Sequence, residues 1–376
     1  MSSRTRAAAL FAVTALLLAG CGSSPVTAAN GPGAATASAT AGGGLYAPYA
    51  GLTGTARTQK LLADAKAEGG VLDIYTSNTD IDKLTGAFQK AYPDIKVNAF
   101  RANSETVLQR VLQESQANRT QNDVVDTNDG ELRAMNDQGL LTGYTGPALA
   151  GLRDAAKQFK GWTAERFNAF VVGWNTKLVP AGQEPKTFTE LADPKWKGKL
   201  SLEVGDWDWY ASLYTYLTQE QKMSPADVDQ VFKDIVANAK VAKGHTVQGE
   251  LLGAGQFSVA LSLYSHTVDK AAAKGAPVAW KPAVQPVILR PNGVGLMTKA
   301  RHPAAALLWL DWVLGDGQQV IAASERIPAA KQVPGLENPI PDGVTVYNVP
   351  ETAIKDSKKW NTAYDDLLRG APKAGS

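Results

Sequence analysis

Val71-Leu72-Asp73-Ile74-Tyr75-Thr76-Ser77-Asn78-Thr79-Asp80 is an apolar run that stops abruptly in small polar side chains. Val71 to Tyr75 reads as a strand, and Thr76 onward as an open loop leading into a helix start. Leu84, Phe88 and Tyr92 then recur at helical spacing as far as Pro93. Ile95 to Phe100 reads as a second strand, and Ser104 to Gln116 as a helix with Val107, Val111 and Leu112 on one side. Asn122 to Asp126 reads as a third strand, which ends in the loop Thr127-Asn128-Asp129-Gly130. Strands alternating with helices call for a largely parallel sheet covered by helices. In such sheets ligands sit beyond the carboxyl ends of the strands. No glycine-rich dinucleotide fingerprint follows Tyr75 and no phosphate loop occurs, so nothing supports a nucleotide cofactor.

A second block begins near Gly161. Phe167 to Gly173 and Leu200 to Val204 read as strands, the latter delivering Gly205-Asp206-Trp207-Asp208-Trp209-Tyr210 into a helix start. Helical segments follow to Leu217 and from Pro225 to Ala237. Phe257 to Leu263 reads as another strand, ending at Tyr264-Ser265-His266. Val287-Ile288-Leu289 passes through what reads as a turn, Arg290-Pro291-Asn292-Gly293, into Val294 to Met297. Pro303 to Leu314 is a strongly apolar helix, with Leu308, Trp309 and Trp312 in its core. Two blocks of comparable size predict two α/β lobes, with crossings near residues 148–155 and 290–297.

The 376 residues carry 38 Lys and Arg against 36 Asp and Glu. Without residues 1–20, which hold Arg4 and Arg6, the signs balance, so no global charge draws the chain to nucleic acid or an anionic membrane. Arg4 and Arg6, the apolar run Ala7 to Leu18, and Ala19-Gly20 have the layout of a secretory signal. Leu18-Ala19-Gly20-Cys21 resembles a bacterial lipobox. Cys21 is the single cysteine, and acylation there implies an anchor in the outer face of the cell membrane or in the periplasm. Gly22 to Ala56 has no charged residue and is rich in Gly, Ala, Ser and Thr, the composition of a flexible leash. The sequence therefore divides into a signal over 1–20, an anchor and tether over 21–57, lobe 1 over 58–150 with 296–330, and lobe 2 over 151–295 with 331–376.

The order and spacing of several runs resemble the solute-binding proteins of bacterial ABC importers, in the branch close to the ferric-iron binders. The runs are Val71 to Ser77, Asn122 to Val125, Asp193-Pro194-Lys195-Trp196-Lys197-Gly198-Lys199-Leu200, Tyr264 to Pro277 and His302 through Gln318. The resemblance implies the type II periplasmic-binding-protein fold, with two lobes, a hinge and an interlobe cleft. It implies a monomer that captures a small molecule, hands it to a permease and performs no chemistry. The ferric relatives use a tyrosine pair with a histidine and a glutamate, positions that fall here at Ser265, His266, Thr79 and Asn128. Those residues lack fixed negative charge, so no metal or cofactor is expected and an organic cation or zwitterion is favoured. Fe(III) is the alternative ligand, held by Tyr264, Tyr210, Asp208 and His266.

Ligand contacts are expected from loops that follow strands. These are Thr76, Ser77, Asn78 and Thr79; Asn128 and Asp129; Asp206, Asp208, Trp209 and Tyr210; and Tyr264 and His266. Arg290 is added as a partner for a carboxylate. Two acids among aromatic rings suit a cation, which a ring face holds at about 0.5–2 kcal/mol. Asp206 also suits a helix cap, and His245 and His302 carry weaker signals. A surface receptor is physically the same fold. A hydrolase is disfavoured, since neither a Gly-x-Ser-x-Gly elbow nor a His-Glu-x-x-His helix occurs.

Overall fold

The computed structural model describes residues 44–335 and 339–374; the expected leader, Cys21 and the tether up to residue 43 lie outside them. In chain order the first part contains α1 (Gly54–Ala67), β1 (Val71–Thr76), α2 (Ile81–Ala91), β2 (Lys96–Arg101), α3 (Ser104–Gln116), β3 (Val124–Asn128), α4 (Asp129–Asp137) and β4 (Leu141–Thr142). The middle contains β5 (Thr163–Asn175), β6 (Leu200–Glu203), α5 (Trp207–Gln219), α6 (Pro225–Ala237), β7 (Ala239–Ala242), α7 (His245–Gly253), β8 (Val259–Tyr264), α8 (Ser265–Ala273) and β9 (Val278–Ala279). The chain returns through β10 (Val287–Met297), α9 (Pro303–Val313), α10 (Gly317–Ala322), β11 (Ile327–Pro328), β12 (Val346–Asn348), α11 (Glu351–Lys355) and α12 (Ser357–Leu368).

The main strand order is β2-β1-β3-β10-β5-β8-β6-β7. At one end β1 pairs in parallel with β2 and β3, and at the other β6 pairs in parallel with β7 and β8. The long strands β5 and β10 run antiparallel between these wings and are buried along their whole length. The expected turn at Arg290-Pro291-Asn292-Gly293 is therefore interior strand. Pro291 sits opposite Phe167, and the pairing slips between Asn292 and Gly293. Such a bulge accommodates a residue that has no N–H to give. Gly293 is required there, because a Cβ would lie 2.3 Å from the Trp162 ring and 2.6 Å from the Thr163 carbonyl oxygen. The first crossing, expected at 148–155, is likewise replaced at the centre of the sheet by β5, which starts at Thr163.

Two apolar cores lie on opposite faces of the central ladder. Along β5, Phe167, Ala169 and Val171 enter one core, while Phe170, Val172 and Trp174 enter the other, the period of two that a pleated strand imposes. On β8, Ala260 and Leu263 share the first core, whereas Val259, Leu261 and Tyr264 share the second. The break in alternation falls at Ser262, whose φ is +49°, beside a register slip in the β5–β8 pairing. One extra residue resets the parity and aims Tyr264 to the side it occupies. α9 is apolar on nearly every face and buried accordingly. Its Trp309 and Trp312 hold Phe88 at ring distances of 5.1 and 5.5 Å.

The body starts earlier than the sequence implies. Residues 44–57 were assigned to the tether, yet the Tyr46 hydroxyl donates to the Met297 carbonyl at 2.9 Å and Tyr49 is buried. Arg57 donates to both Asp311 oxygens at 2.6 and 3.0 Å and to the Tyr49 carbonyl at 2.7 Å. Tyr144 donates to the same Asp311 at 2.7 Å. The uncharged composition concealed two tyrosines and a charge partner 254 residues away. Arg57→Ala leaves the Asp311 carboxylate short of its cation. It should lower unfolding free energy by about 3 kcal/mol, read from urea denaturation; a loss below about 0.5 kcal/mol would show the strap to be dispensable.

Candidate functional site

The carboxyl ends of β1, β3, β6 and β8 open on one cavity of about 1800 Å³. Its floor is the central ladder. Arg166 and Asn168 on β5 sit opposite Asn292 and Arg290 on β10, and all four line the cavity. Arg166 donates to Asp126 at 2.9 Å and also contacts Glu165. Arg290 donates to both Asp208 oxygens at 3.2 Å and lies over the rings of Phe170 and Tyr264 at 4.7 and 5.3 Å. Asn292 donates to the Asn128 side-chain oxygen at 2.6 Å, and Arg326 donates to Asn168 at 3.1 Å.

Loop by loop, the structure sorts the expected contacts. Ser77 and Thr79 reach the cavity, but Thr76 and Asn78 turn back on their own chain. The Thr76 hydroxyl donates to Asp126 and receives the Asn78 N–H, while the Asn78 side chain accepts from the Asp80 N–H. They shape the entry to α2 and do not line the cavity. Asn128 and Asp129 line it, as do Asp206, Asp208, Tyr264, His266 and Arg290. Trp209 and Tyr210 do not. A helix turns about 100° per residue, so with Asp208 facing the cavity the next two side chains face away. Trp209 packs near Phe188 and Phe232, and Tyr210 lies 4.6 Å from Phe232 and 5.5 Å from Tyr364. Of the alternative ferric set, Tyr264, Asp208 and His266 line the cavity, whereas Tyr210 lies in the core and Asp208 already accepts from Arg290.

The cavity is electrically divided. A ring stack runs from His245 to Tyr264 at 3.8 Å and from Tyr264 to His266 at 5.3 Å. Around His245 stand Glu203, Asp206, Asp208 and Glu105, with Arg290 against them; Asp129 and Glu131 act on the same group through Asp208, Glu105 and Arg290, with Arg133 against Asp129. Around His266 stand Arg326, Lys270 and Arg166. Their counter-charges Asp126 and Glu165 are fully buried behind the wall, while Asp80 is shared by Arg326 and Lys270.

The titration of these groups follows. Burial pushes Asp129 up to about 6, helped by Asp208, and desolvation pushes Glu131 up to about 7. Burial likewise drives Asp206 well above the carboxylate range, and Asp208 adds to it. Desolvation lowers His245 to about 4; His266, buried beside Arg326 and Lys270, falls well below its ordinary value. Burial opposes the Arg290 charge, but Asp208 and Asp206 outweigh it and raise its pKa.

Arg166, Arg326, Lys270, Glu131 and Glu203 were not expected here, and His245 only weakly. His245 had a local signal, since Ala239 to Ala242, Gly244 and His245 form a strand, a φ of +90° and a helix start. The others had none, because their elements meet only in the folded chain. Glu203, Asp206 and His245 bring ligand atoms within 4.8 Å of one another, as do Asp73, Asp123 and His302 away from the cavity. In the second group the carboxylates are already occupied by His302, Arg301 and backbone N–H groups.

The sequence profile of the bacterial extracellular solute-binding proteins matches residues 75–320. The chain belongs to that family. Among solved structures, the chain is similar to the periplasmic binding protein AfuA of Actinobacillus pleuropneumoniae with fructose-6-phosphate bound, at 19% identity and TM-score 0.66 over 80% of this chain and 99% of that one. Iron-bound HitA of Pseudomonas aeruginosa superposes with TM-score 0.64 at 16% identity, over 79% and 99%. The apo ferric ion-binding protein A of Pasteurella haemolytica gives 0.62 at 18%, over 80% and 96%. Comparison with curated protein sequences finds no match. The fold is accordingly the two-lobed periplasmic-binding-protein fold, and the cavity is its interlobe cleft.

Asp129 and Glu131 have folded values above their ordinary 3.8 and 4.5. Their contribution to stability is complete below those values and is lost as pH rises through about 6 and 7. Replacing Arg290 by Met removes a nearby cation that favours both carboxylates. Carboxyl-carbon NMR titration should then show both pKa values moving further up; a downward shift would contradict the charge arrangement.

Proposed function

We propose that this solute-binding protein captures a small organic solute carrying a positive charge and delivers it to an ABC permease. The observation that carries this reading is the acidic wall. Glu105, Asp129, Glu131, Glu203, Asp206 and Asp208 face the cleft; Arg290 and Arg133 pair with Asp208 and Asp129, while Arg101, Lys160, Lys243, Lys355 and Lys358 also line the cavity. A ligand cation placed against the raised carboxyls lets them ionise. The carboxylates come from both lobes, Asp129 from α4 and Asp208 from α5. A cation that touches both therefore favours closure about β5 and β10. We take the lobes as residues 58–150 with 296–330, extended back to Tyr46, and 151–295 with 331–376. Among the described residues no helix is long and apolar enough to cross a membrane. We assign anchoring to acylated Cys21 and work outside the cell membrane.

Asp129 and Glu131 must ionise to hold a cation, so affinity for putrescine or an amino-acid zwitterion should rise between pH 5 and 7.5. Asp208→Asn and Asp129→Asn should each weaken it about tenfold or more, the scale of a lost charge-assisted contact. Calorimetry at several pH values measures both. Tight uptake of ferric citrate with a tyrosinate-to-iron band, abolished by Tyr264→Phe, would replace this reading with iron capture.

A further inference from the structure

Six helices of eight residues or more start at the cleft without a side-chain cap hydrogen bond: α2, α4, α5, α7, α8 and α12. Free N–H groups and the helix dipole make such ends attractive to negative charge. Four of the six already carry or meet an acid. α2 carries Asp82 in its first turn, α4 carries Asp129 and Glu131, and α5 carries Asp208. At α7 the Gly244 N–H donates to Glu203 at 2.7 Å. α12 has no acid in its first turn either, but its start is largely exposed, whereas Ser265 and His266 at the start of α8 are buried. The first turn of α8 holds no acid, and the cations acting on His266 are Arg326, Arg166 and Lys270 one turn along the same helix, with Asp80 paired to Arg326 and Lys270.

Two buried side chains at this end have unused hydrogen-bonding capacity. His266, in the first turn of α8, is 7% exposed and lines the cleft. Among the described residues its ring stacks on Tyr264 but makes no hydrogen bond. Arg166, 1% exposed, also lines the cleft; its Nη1 is held by Asp126 and Glu165, and its Nε, without an acceptor, is closed off from solvent, so it offers positive charge to the subsite. Buried donors without partners are costly in a folded protein. The His266 donor, set at a helix N-terminus among cations, matches an anionic oxygen.

We infer that the N-terminus of α8, with His266 and Arg166, is a second subsite for an oxyanion of the ligand, so the solute is a zwitterion lying across the cleft. The anionic group is a carboxylate or a phosphoryl group, and both offer the several acceptor oxygens this end can use. The inference rests on the acidic-wall reading for the cationic end. Ring spacings of 3.8 and 5.3 Å bound the separation of His245 and His266 at about 9 Å. The two charges of the solute are therefore separated by only a few bonds.

The test uses the full chain and four probes: inorganic phosphate, 2-aminoethylphosphonate, β-alanine and putrescine. NMR of the histidine rings and calorimetry are the readouts. Phosphate should move the His266 ring resonances in the unmodified protein, a measurement that needs no variant to fold. His266→Ala should weaken 2-aminoethylphosphonate or β-alanine about tenfold or more, weaken putrescine by a clearly smaller factor, and be largely rescued by His266→Gln, which keeps a donor. Loss confined to one zwitterion identifies the anion as phosphoryl or carboxylate. If millimolar phosphate leaves the His266 ring unmoved and no zwitterion responds to His266→Ala, the subsite is refuted, even where putrescine binding upholds the acidic wall. If phosphate binding depends on His266 while Asp208→Asn alters no probe, the oxyanion subsite stands and the acidic-wall reading falls.

Discussion

The pairing of β5 with β10 puts four polar side chains, Arg166, Asn168, Arg290 and Asn292, on one face of a ladder that is buried throughout. Burying a guanidinium in a low-dielectric interior is costly unless a carboxylate and further hydrogen bonds compensate. The compensation comes from elsewhere in the fold. Asp126 at the end of β3 meets Arg166, Asp208 at the start of α5 meets Arg290, and Arg326 beside β11 meets Asn168. Each wing of the sheet is thus held to the ladder by charge at the point where its strands end. Apolar packing forms the two cores, while these pairs set where the wings stand relative to the floor.

That arrangement accounts for the polarity of the cleft. The counter-charges of Arg166 lie behind the wall, so cations face the cavity near His266. At the other end a single buried arginine, Arg290, is surrounded by acids from both lobes. The acids are crowded and desolvated, which is why Asp129 and Glu131 titrate at about 6 and about 7, above the ordinary carboxylate range. On the proposed reading, a cationic solute would relieve that crowding. A binding protein that must discriminate and then close has a use for that property.

The cluster from Asp206 to Tyr210 shows how one helix start serves two purposes. Asp206 and Asp208 face solute space, whereas Trp209 and Tyr210 fasten α5 into the second core against Phe232 and Tyr364. The Tyr364 hydroxyl, on α12, donates to the carbonyl of Glu203 at 2.8 Å. The carboxy-terminal helix therefore buttresses the strand end that carries the acidic wall. Ser262 has a comparable role on β8, where its bulge determines the face on which Tyr264 and the ring stack appear.

Local pattern was enough to place the strands and helices before Gly130, the apolar α9, and the polar loops after strands that open on the cavity. Those features depend on periodicities of 2.0 and 3.6 residues and on turn chemistry, all of which act within a few residues. Thus Ser77, Thr79, Asn128, Asp129, Asp206, Asp208, Tyr264, His266 and Arg290 were legible as candidates, and all of them line the cleft. The same local view could not tell Asp208 from Tyr210, because facing depends on how α5 docks. It read Arg290 to Gly293 as a turn, because only pairing with β5 turns a Pro-Gly sequence into interior strand. It also treated Tyr46 to Arg57 as leash, because Asp311 is distant in the chain. Arg166, Lys270 and Arg326 are ordinary surface-type residues in sequence. They become cleft cations only because the ladder and α8 bring them together, and long-range electrostatics between separate elements leaves no periodic trace in a linear chain.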